Sequence, residues 1–336
     1  MRRFKTVSLV LAVVFMGMSF STAAFSQIKL NYSNFFPAPH KNAVLSVEWG
    51  KEIEKRTNGK VQVTVFPGGT LTPADKCYDG VVKGISDVGM SVLSYTRGRF
   101  PLTEVIDLPL GYKNGTAATK LINLYYNKFK PKELNDVKVM YLHAHGPGIL
   151  HTKKPVTKLE ELKGMKIRST GTVAKIVGAL GATPVAMPMP ETYDALQKGI
   201  AEGVMCPIEA LQGWKLGEVI KHTTENYGSA YTIGFFVVMN KDKWNSLPPD
   251  VQKVIEQVNV EWIDRHCKTW DEIDKLGKEF ALKLGDKFIP LSKDEDWRWV
   301  KAVKPLYDEY VAAAKAKGLP GDEALKFCLE QLNKLQ

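Results

Sequence analysis

Hydrophobic and polar positions along the chain fall into short strand-like runs interleaved with stretches of helical spacing. Residues 28–33 read as a strand, and 42–56 as a helix whose apolar side carries Val44, Leu45, Val47 and Ile53. Asn58-Gly59 turns the chain into a second strand, where Val61, Val63 and Val65 alternate with polar residues. Pro73 opens another helix at the first-turn position that its fixed φ favours. Residues 85–90 make a third strand. Strand, helix, strand, helix, strand is the start of an open parallel sheet. A second set follows, with strands at 137–144, 149–152, 166–169 and 203–206 and helices at 173–180 and 191–198. The β-prone run 232–239 is expected to return the chain to the first unit.

The longest pattern runs from 251 to 284. Val251, Val254, Ile255, Val258, Trp262, Ile263, His266, Trp270, Ile273, Leu276 and Phe280 recur mainly three and four residues apart, with no proline between them. At 1.5 Å per residue, a helix of thirty-odd residues reaches roughly 50 Å. That exceeds the width of one domain of ~130 residues, whose radius of gyration is about 14 Å. Such a helix braces two domains; the alternative is two helices broken near Gly277.

The N-terminus changes the compartment. Arg2, Arg3 and Lys5 precede an apolar run from Val7 to Phe20, and Ala24-Phe25-Ser26 before Gln27 fits a signal-peptidase site. Export to the periplasm with cleavage near Ser26 leaves about 310 residues, too many for one ordinary core, so two domains are expected. The formal charge of +10 falls to +7 once Arg2, Arg3 and Lys5 are removed, and no basic block concentrates it. That excludes nucleic acid as the expected partner and leaves room for a basic cleft that draws anions. Cys77, Cys206, Cys267 and Cys328 are widely spaced, so their redox state stays open. His143 and His145 point to one face of a strand but lack a third ligand for a metal; no metal or cofactor is expected.

In open α/β sheets, ligands bind outside the carboxyl ends of the strands. That rule nominates Asn34, Phe35, Phe36 and His40 after the first strand, and Ser91 and Tyr95 after the third. It nominates Arg168 after 166–167, and Cys206, Glu209 and Trp214 after 203–206. Arg168 is the candidate with the most direct chemistry, with a surface arginine paired to a glutamate as the alternative. The Arg168 guanidinium can grip a carboxylate through two parallel hydrogen bonds, and the residue precedes a glycine turn and a helix start.

The chain also resembles the solute-binding subunits of tripartite ATP-independent periplasmic (TRAP) transporters, of the C4-dicarboxylate-binding type. The stretches that carry the likeness are 54–61 (EKRTNGKV), 84–89 (GISDVG), 162–169 (LKGMKIRS), 180–184 (LGATP), 191–199 (ETYDALQKG) and 240–244 (NKDKW), in order over nearly the whole mature chain. The resemblance implies a two-lobed α/β binding protein with a ligand cleft between the lobes. Lobe I would comprise 27–145 plus about 235–285, and lobe II about 146–234 plus 286–336, with a helix at about 250–284 spanning both. It implies that Arg168 pairs with a ligand carboxylate, and that Asn34, Ser91, Met189, Cys206 and Trp214 line the pocket. With Phe36, His145 and Phe235 these make up the expected ligand contacts. It also implies a small organic acid as ligand and membrane permease subunits as partners. The binding protein itself is expected to act as a monomer.

Two departures from the family pattern bear on the ligand. Sialic-acid-binding members have Gln-Glu-Asn before a proline where this chain has Val204-Met205-Cys206-Pro207. Their second arginine, twenty residues before the first, is Gly148 here. Both changes remove polar reach and open space. Each polar ligand group left unpaired in such a pocket costs roughly 1–3 kcal/mol. The expected ligand is therefore a monocarboxylate with an aromatic or bulky apolar body: an aromatic amino acid, an indole- or phenyl-type acid, or a branched oxo acid. Phe35, Phe36, Tyr95, Met189, Trp214, Phe235 and Phe236 are available as apolar wall. A C4-dicarboxylate binder and a sensory subunit are the alternatives. An enzyme using Cys206 with His145 or His40 lacks any supporting motif, and no enzymatic activity is expected.

Overall fold

A computed structural model describes residues 27–336; the expected signal peptide lies outside them. Among the described residues eleven strands form two sheets. The first contains β1 (Ile28–Asn34), β2 (Val61–Phe66), β3 (Val88–Val92) and β4 (Val137–Ala144). The second contains β5 (Gly148–Thr152), β6 (Lys166–Ser169), β7 (Thr183–Ala186), β8 (Gly203–Pro207) and β9 (His222–Glu225). The chain then re-enters the first sheet with β10 (Gly234–Asn240) and the second with β11 (Lys287–Pro290).

The first sheet has the order β2-β1-β3-β10-β4, and the second β11-β9-β5-β8-β6-β7. β1, β2 and β3 are parallel, as the opening pattern predicts, while β10 runs antiparallel to β3 and β4. β10 is the expected returning strand, and all of its residues but the last are buried. In the second sheet β6 runs parallel to β7 and β8, and β5 antiparallel to β8 and β9. The helix expected from Pro73 begins later, at Cys77, because 67–76 is spent on turns that return the chain from β2.

The long helix is continuous from Pro249 to Lys283, 35 residues, with Pro249 in its first turn. It packs on the helices Lys41–Arg56 and Gly115–Phe129 and on β4 in the first lobe, then on the short helix Ala210–Gly213 in the second. Its apolar stripe buries Val251, Ile255, Val258, Trp262, Trp270, Ile273 and Ala281. The indoles are also pinned by hydrogen bonds: Trp262 Nε1 donates to Leu45 O at 2.9 Å, and Trp270 Nε1 to His143 Nδ1 at 3.1 Å.

Gly277 is not a break. A Cβ there would stand 2.4 Å from Ile208 O and 2.9 Å from Glu209 Cα. The missing side chain lets the loop after β8 pass against the helix backbone, where Glu209 N donates to Asp274 Oδ1 at 2.8 Å.

The elements of 286–336 divide between the lobes. β11 pairs with β9 in the second sheet, and the helix Lys293–Val303 packs nearby on 227–229. The last helix, Gly321–Leu335, packs against Gly115–Phe129 on the first lobe.

Candidate ligand-binding cleft

The cleft forms where the chain passes between the sheets. β4 ends at Ala144 and leads through His145 to β5; the return runs through Tyr231 and Ile233 into β10. From the first lobe the ends of β1 and β3 contribute Phe35, Phe36, Val92 and Tyr95. From the second, β6, β8 and the segments after them contribute Arg168, Thr170, Met189, Cys206, Pro207, Glu209 and Trp214. With His145, Tyr231, Ile233 and Phe235 these residues line a partly open cleft of about 370 Å³, adjoining solvent included.

Arg168 is 2 % exposed. Its Nε and Nη2 both donate to one carbonyl, Met187 O, at 3.1 and 2.8 Å. Among the described residues no Asp or Glu pairs with it. A guanidinium held out of water without a counter-ion is costly, and the Met187 carbonyl supplies orientation but no negative charge. The chain after Arg168 turns at Gly171, which has φ +49°; a Cβ there would lie 2.4 Å from Ser94 Cβ of the first lobe. Glycine is thus what lets the arginine-bearing segment close against the opposite lobe.

Aromatic rings make the rest of the wall. Phe35 stacks with Trp214 (centroids 5.9 Å apart, 18° between planes) and with Phe235 (6.3 Å, 9°). Tyr95 meets Phe35 edge-on at 5.8 Å. Behind Phe235 lie His143, stacked at 4.7 Å, and Trp270 at 5.2 Å. His143 stacks in turn on His266 at 3.9 Å; burial drives both imidazoles below their ordinary pKa, so both are neutral near pH 7. Among the described residues no group of three or more His, Cys, Asp or Glu side chains is placed to hold a metal ion.

Two polar contacts join the lobes over the cavity. Tyr95 OH accepts from Met189 N at 3.0 Å. His40 Nδ1 accepts from Asn42 N, which leaves the proton of a neutral ring on Nε2, and Nε2 lies 3.0 Å from Glu209 Oε2. His40 and Glu209 are 4 % and 3 % exposed, so the contact is shielded from water.

Of the residues predicted from sequence, Arg168, Phe36, His145, Met189, Cys206, Trp214 and Phe235 come together in this wall, with Phe35 and Tyr95. Asn34 and Ser91 do not. Asn34 Nδ2 donates to Ser46 Oγ at 2.9 Å and its Oδ1 accepts from Phe36 N at 2.9 Å, so it holds the loop that presents Phe35 and Phe36. Ser91 Oγ donates to Ala74 O at 2.7 Å. Phe236, offered as wall, faces the other side of β10 and packs edge-on against Tyr78 at 5.3 Å, because adjacent strand residues point to opposite faces.

Tyr231 was missed by sequence reasoning. It lies in a connection without periodicity and pairs with Gly148 as an isolated antiparallel bridge. A Cβ on Gly148 would sit 2.4, 2.5 and 2.7 Å from three carbons of the Tyr231 ring. The room expected from Gly148 is therefore filled by an aromatic ring. All four cysteines are free and buried. Burial pushes the Cys206 thiol far up, away from the thiolate that nucleophilic chemistry requires.

Comparison with known proteins agrees with this architecture. The family model of bacterial extracellular solute-binding protein, family 7, matches residues 38–314. The chain belongs to that family. It is 25% identical over 324 residues to the C4-dicarboxylate-binding periplasmic protein DctP of Vibrio cholerae, covering 91% of this chain and 94% of that one. Among solved structures, a TRAP solute-binding protein specific for aromatic acid ligands, from an unidentified marine microbe and in complex with metahydroxyphenylacetate, superposes with a TM-score of 0.88. It is 29% identical, over 92% of this chain and 100% of that chain. A TRAP periplasmic solute-binding protein of Bordetella bronchiseptica with bound (R)- and (S)-mandelate gives 0.85 at 30% identity, over 92% and 100%. The chain is thus a TRAP-type solute-binding protein with the two-lobed fold of that family. Among the described residues no helix is long and apolar enough to cross a membrane.

Proposed function

We propose that this family 7 protein captures an aromatic monocarboxylate in the periplasm and delivers it to the membrane permease subunits of a TRAP transporter. The carrying observation is one buried guanidinium that no protein carboxylate pairs with, set in a cavity rich in aromatic rings. Arg168 would take both carboxylate oxygens. Phe35, Trp214 and Phe235 would flank the ring, and Tyr95–Met189 and His40–Glu209 would hold the lobes over it. Relatives that bind aromatic acids support this reading. The pattern of 1–26 supports export, and the two sheets support lobe boundaries at the crossings near 145 and 233.

A C4-dicarboxylate, the ligand class in the name of the Vibrio cholerae relative, is the second reading. The geometry disfavours it, because the cavity offers Arg168 as its one cation and the lining adds Glu209, which repels a second carboxylate. Calorimetry with benzoate, phenylacetate, indole-3-acetate, tryptophan and succinate tests the proposal, with Arg168→Met as the control. Binding of the aromatic acids is expected, weakened in the variant by ~3–5 kcal/mol, or more than a hundredfold. Binding of succinate alone would end this reading. Unchanged affinity in the variant would remove Arg168 from the site.

A further inference from the structure

His145, in the wall of the cleft, carries a buried polar atom that the protein leaves unpaired. His145 is 2 % exposed and lines the cavity. Its Nδ1 lies 2.5 Å from Gly146 O. A carbonyl oxygen only accepts, so Nδ1 carries a proton. Burial, with a smaller push from the Arg168 charge, lowers the imidazole to a pKa of about 4, so the ring is neutral and Nε2 is a bare lone pair. That Nε2 is buried and has no hydrogen-bond partner. The backbone around it is fixed, since Thr232 Oγ1 donates to His145 O at 2.6 Å. The ring's neighbours are Tyr231, Phe235 and Trp270, all in edge-on contact 5.6–6.2 Å away. None of them satisfies Nε2.

An unpaired buried acceptor is costly, and beside a ligand cavity the ligand is the natural source of its donor. We propose that His145 Nε2 accepts a hydrogen bond from a hydroxyl group of the ligand, so that the cleft selects a hydroxylated aromatic acid over the bare acid. This rests on the aromatic monocarboxylate reading and adds a second anchor to Arg168. The two anchors differ in kind. Arg168 gives only donors and takes the carboxylate; a neutral His145 with Nδ1 committed gives only an acceptor, which a carboxylate cannot use. A site with a placed acceptor discriminates strongly against analogues that lack the matching donor, because its own polar atom is then left unpaired.

Calorimetry on the wild-type protein with matched acids tests this without any variant: benzoate against 3-hydroxybenzoate, phenylacetate against mandelate, and 3-hydroxybenzoate against 3-methoxybenzoate. The expected result is at least tenfold tighter binding of the hydroxyl-bearing member in the ring-hydroxyl or the α-hydroxyl pair. The methoxy acid, which keeps the oxygen but lacks the proton, should lose that gain. His145→Phe should erase the difference within the favoured pair, whatever its effect on the affinity for the bare acid. Equal affinities within both hydroxyl pairs overturn the role of His145 and leave the aromatic monocarboxylate reading standing. A methoxy acid that binds as tightly as the hydroxy acid overturns it too. Failure of every aromatic acid to bind removes both.

Discussion

Gly148→Ala is the smallest change that probes why the cleft is aromatic. The new Cβ would lie 2.4 Å from Tyr231 Cε1, 2.5 Å from Cζ and 2.7 Å from Cδ1. Carbon atoms in ordinary contact stand about 3.5–4.0 Å apart, so the ring must retreat by about 1 Å. It has little freedom to do so along its own strand, because Gly148 N donates to Tyr231 O at 2.7 Å and fixes the backbone pair. The ring moves toward the cavity instead. Overpacking of this kind costs ~1–3 kcal/mol, offset by up to ~1 kcal/mol from the lower unfolded-state entropy of alanine. A net loss of ~1–2 kcal/mol lowers the thermal midpoint by a few degrees. Displacement of the ring into ligand space should weaken benzoate or mandelate binding by about tenfold or more. The assay is calorimetry and thermal denaturation of four proteins: wild type, Gly148→Ala, Tyr231→Ala and the double variant. The two changes should be strongly non-additive, with the double variant no worse than Tyr231→Ala alone. Additive effects, or wild-type behaviour of Gly148→Ala, would refute the argument that glycine is there to admit the tyrosine ring.

Three further outcomes are expected. Gly277→Ala should lower the thermal midpoint even though alanine is the better helix former by ~1 kcal/mol, because its Cβ would meet Ile208 O at 2.4 Å; a stabilised variant would contradict the close approach. His40→Ala removes the buried partner of Glu209 across the cleft and should weaken binding of an aromatic acid by ~1–3 kcal/mol. Stopped-flow fluorescence should show most of that loss in faster dissociation, and an unchanged off-rate would separate the contact from closure. Stability should also fall as pH drops below about 6.5. Burial depresses His143, His145, His151 and His266, the second and third to about 4 and the last to about 3, so the unfolded chain binds protons first. Each costs up to ~1.4 kcal/mol per pH unit in that window. Asp107, raised well above its usual pKa by burial, opposes the trend, since its folded form takes up a proton as the pH falls. Asp107→Asn should therefore steepen the acid loss in urea titrations at pH 7, 6 and 5; an unaltered slope would show that Asp107 is ionised in the fold.

What could be read from the chain and what could not follows from the range of the interactions. The long helix was legible because ten apolar side chains and His266 repeat at helical spacing and because a length near 50 Å suits only a two-lobed body; both are local properties. The three opening strands and the return of 232–239 were legible for the same reason. The helix Gly115–Phe129 and the strands β7, β9 and β11 were not. Three of the four residues of β7 have exposed or half-exposed side chains flanking a proline, a pattern that carries no period-2 signal. Arg168 could be placed at the cleft by the strand-end rule, but its lack of a protein counter-ion appears only in three dimensions.

The same rule misplaced Asn34 and Ser91, and the reason is instructive. A strand end delivers a segment to the cleft without deciding which of its residues faces inward. At the end of β1 the polar residue is consumed in holding the loop, so Phe35 and Phe36 are the ones presented. At β3 the serine is tied back to Ala74, and the wall is made by Val92 and Tyr95. Polar side chains near the cavity thus satisfy the backbone that carries the rings. Arg168, which pairs with no carboxylate among the described residues, and His145, whose buried Nε2 has no hydrogen-bond partner, are left short of partners by this scaffold. For an aromatic acid the division is consistent. The apolar wall supplies most of the burial, and the charged group is what fixes the ligand's orientation. Tyr231 over Gly148 extends that wall to the place where other members of the family are expected to present a second cation. A substitution that returned an arginine to position 148 without removing Tyr231 would meet the ring before it met a ligand, so a change of ligand class here requires both positions to move together.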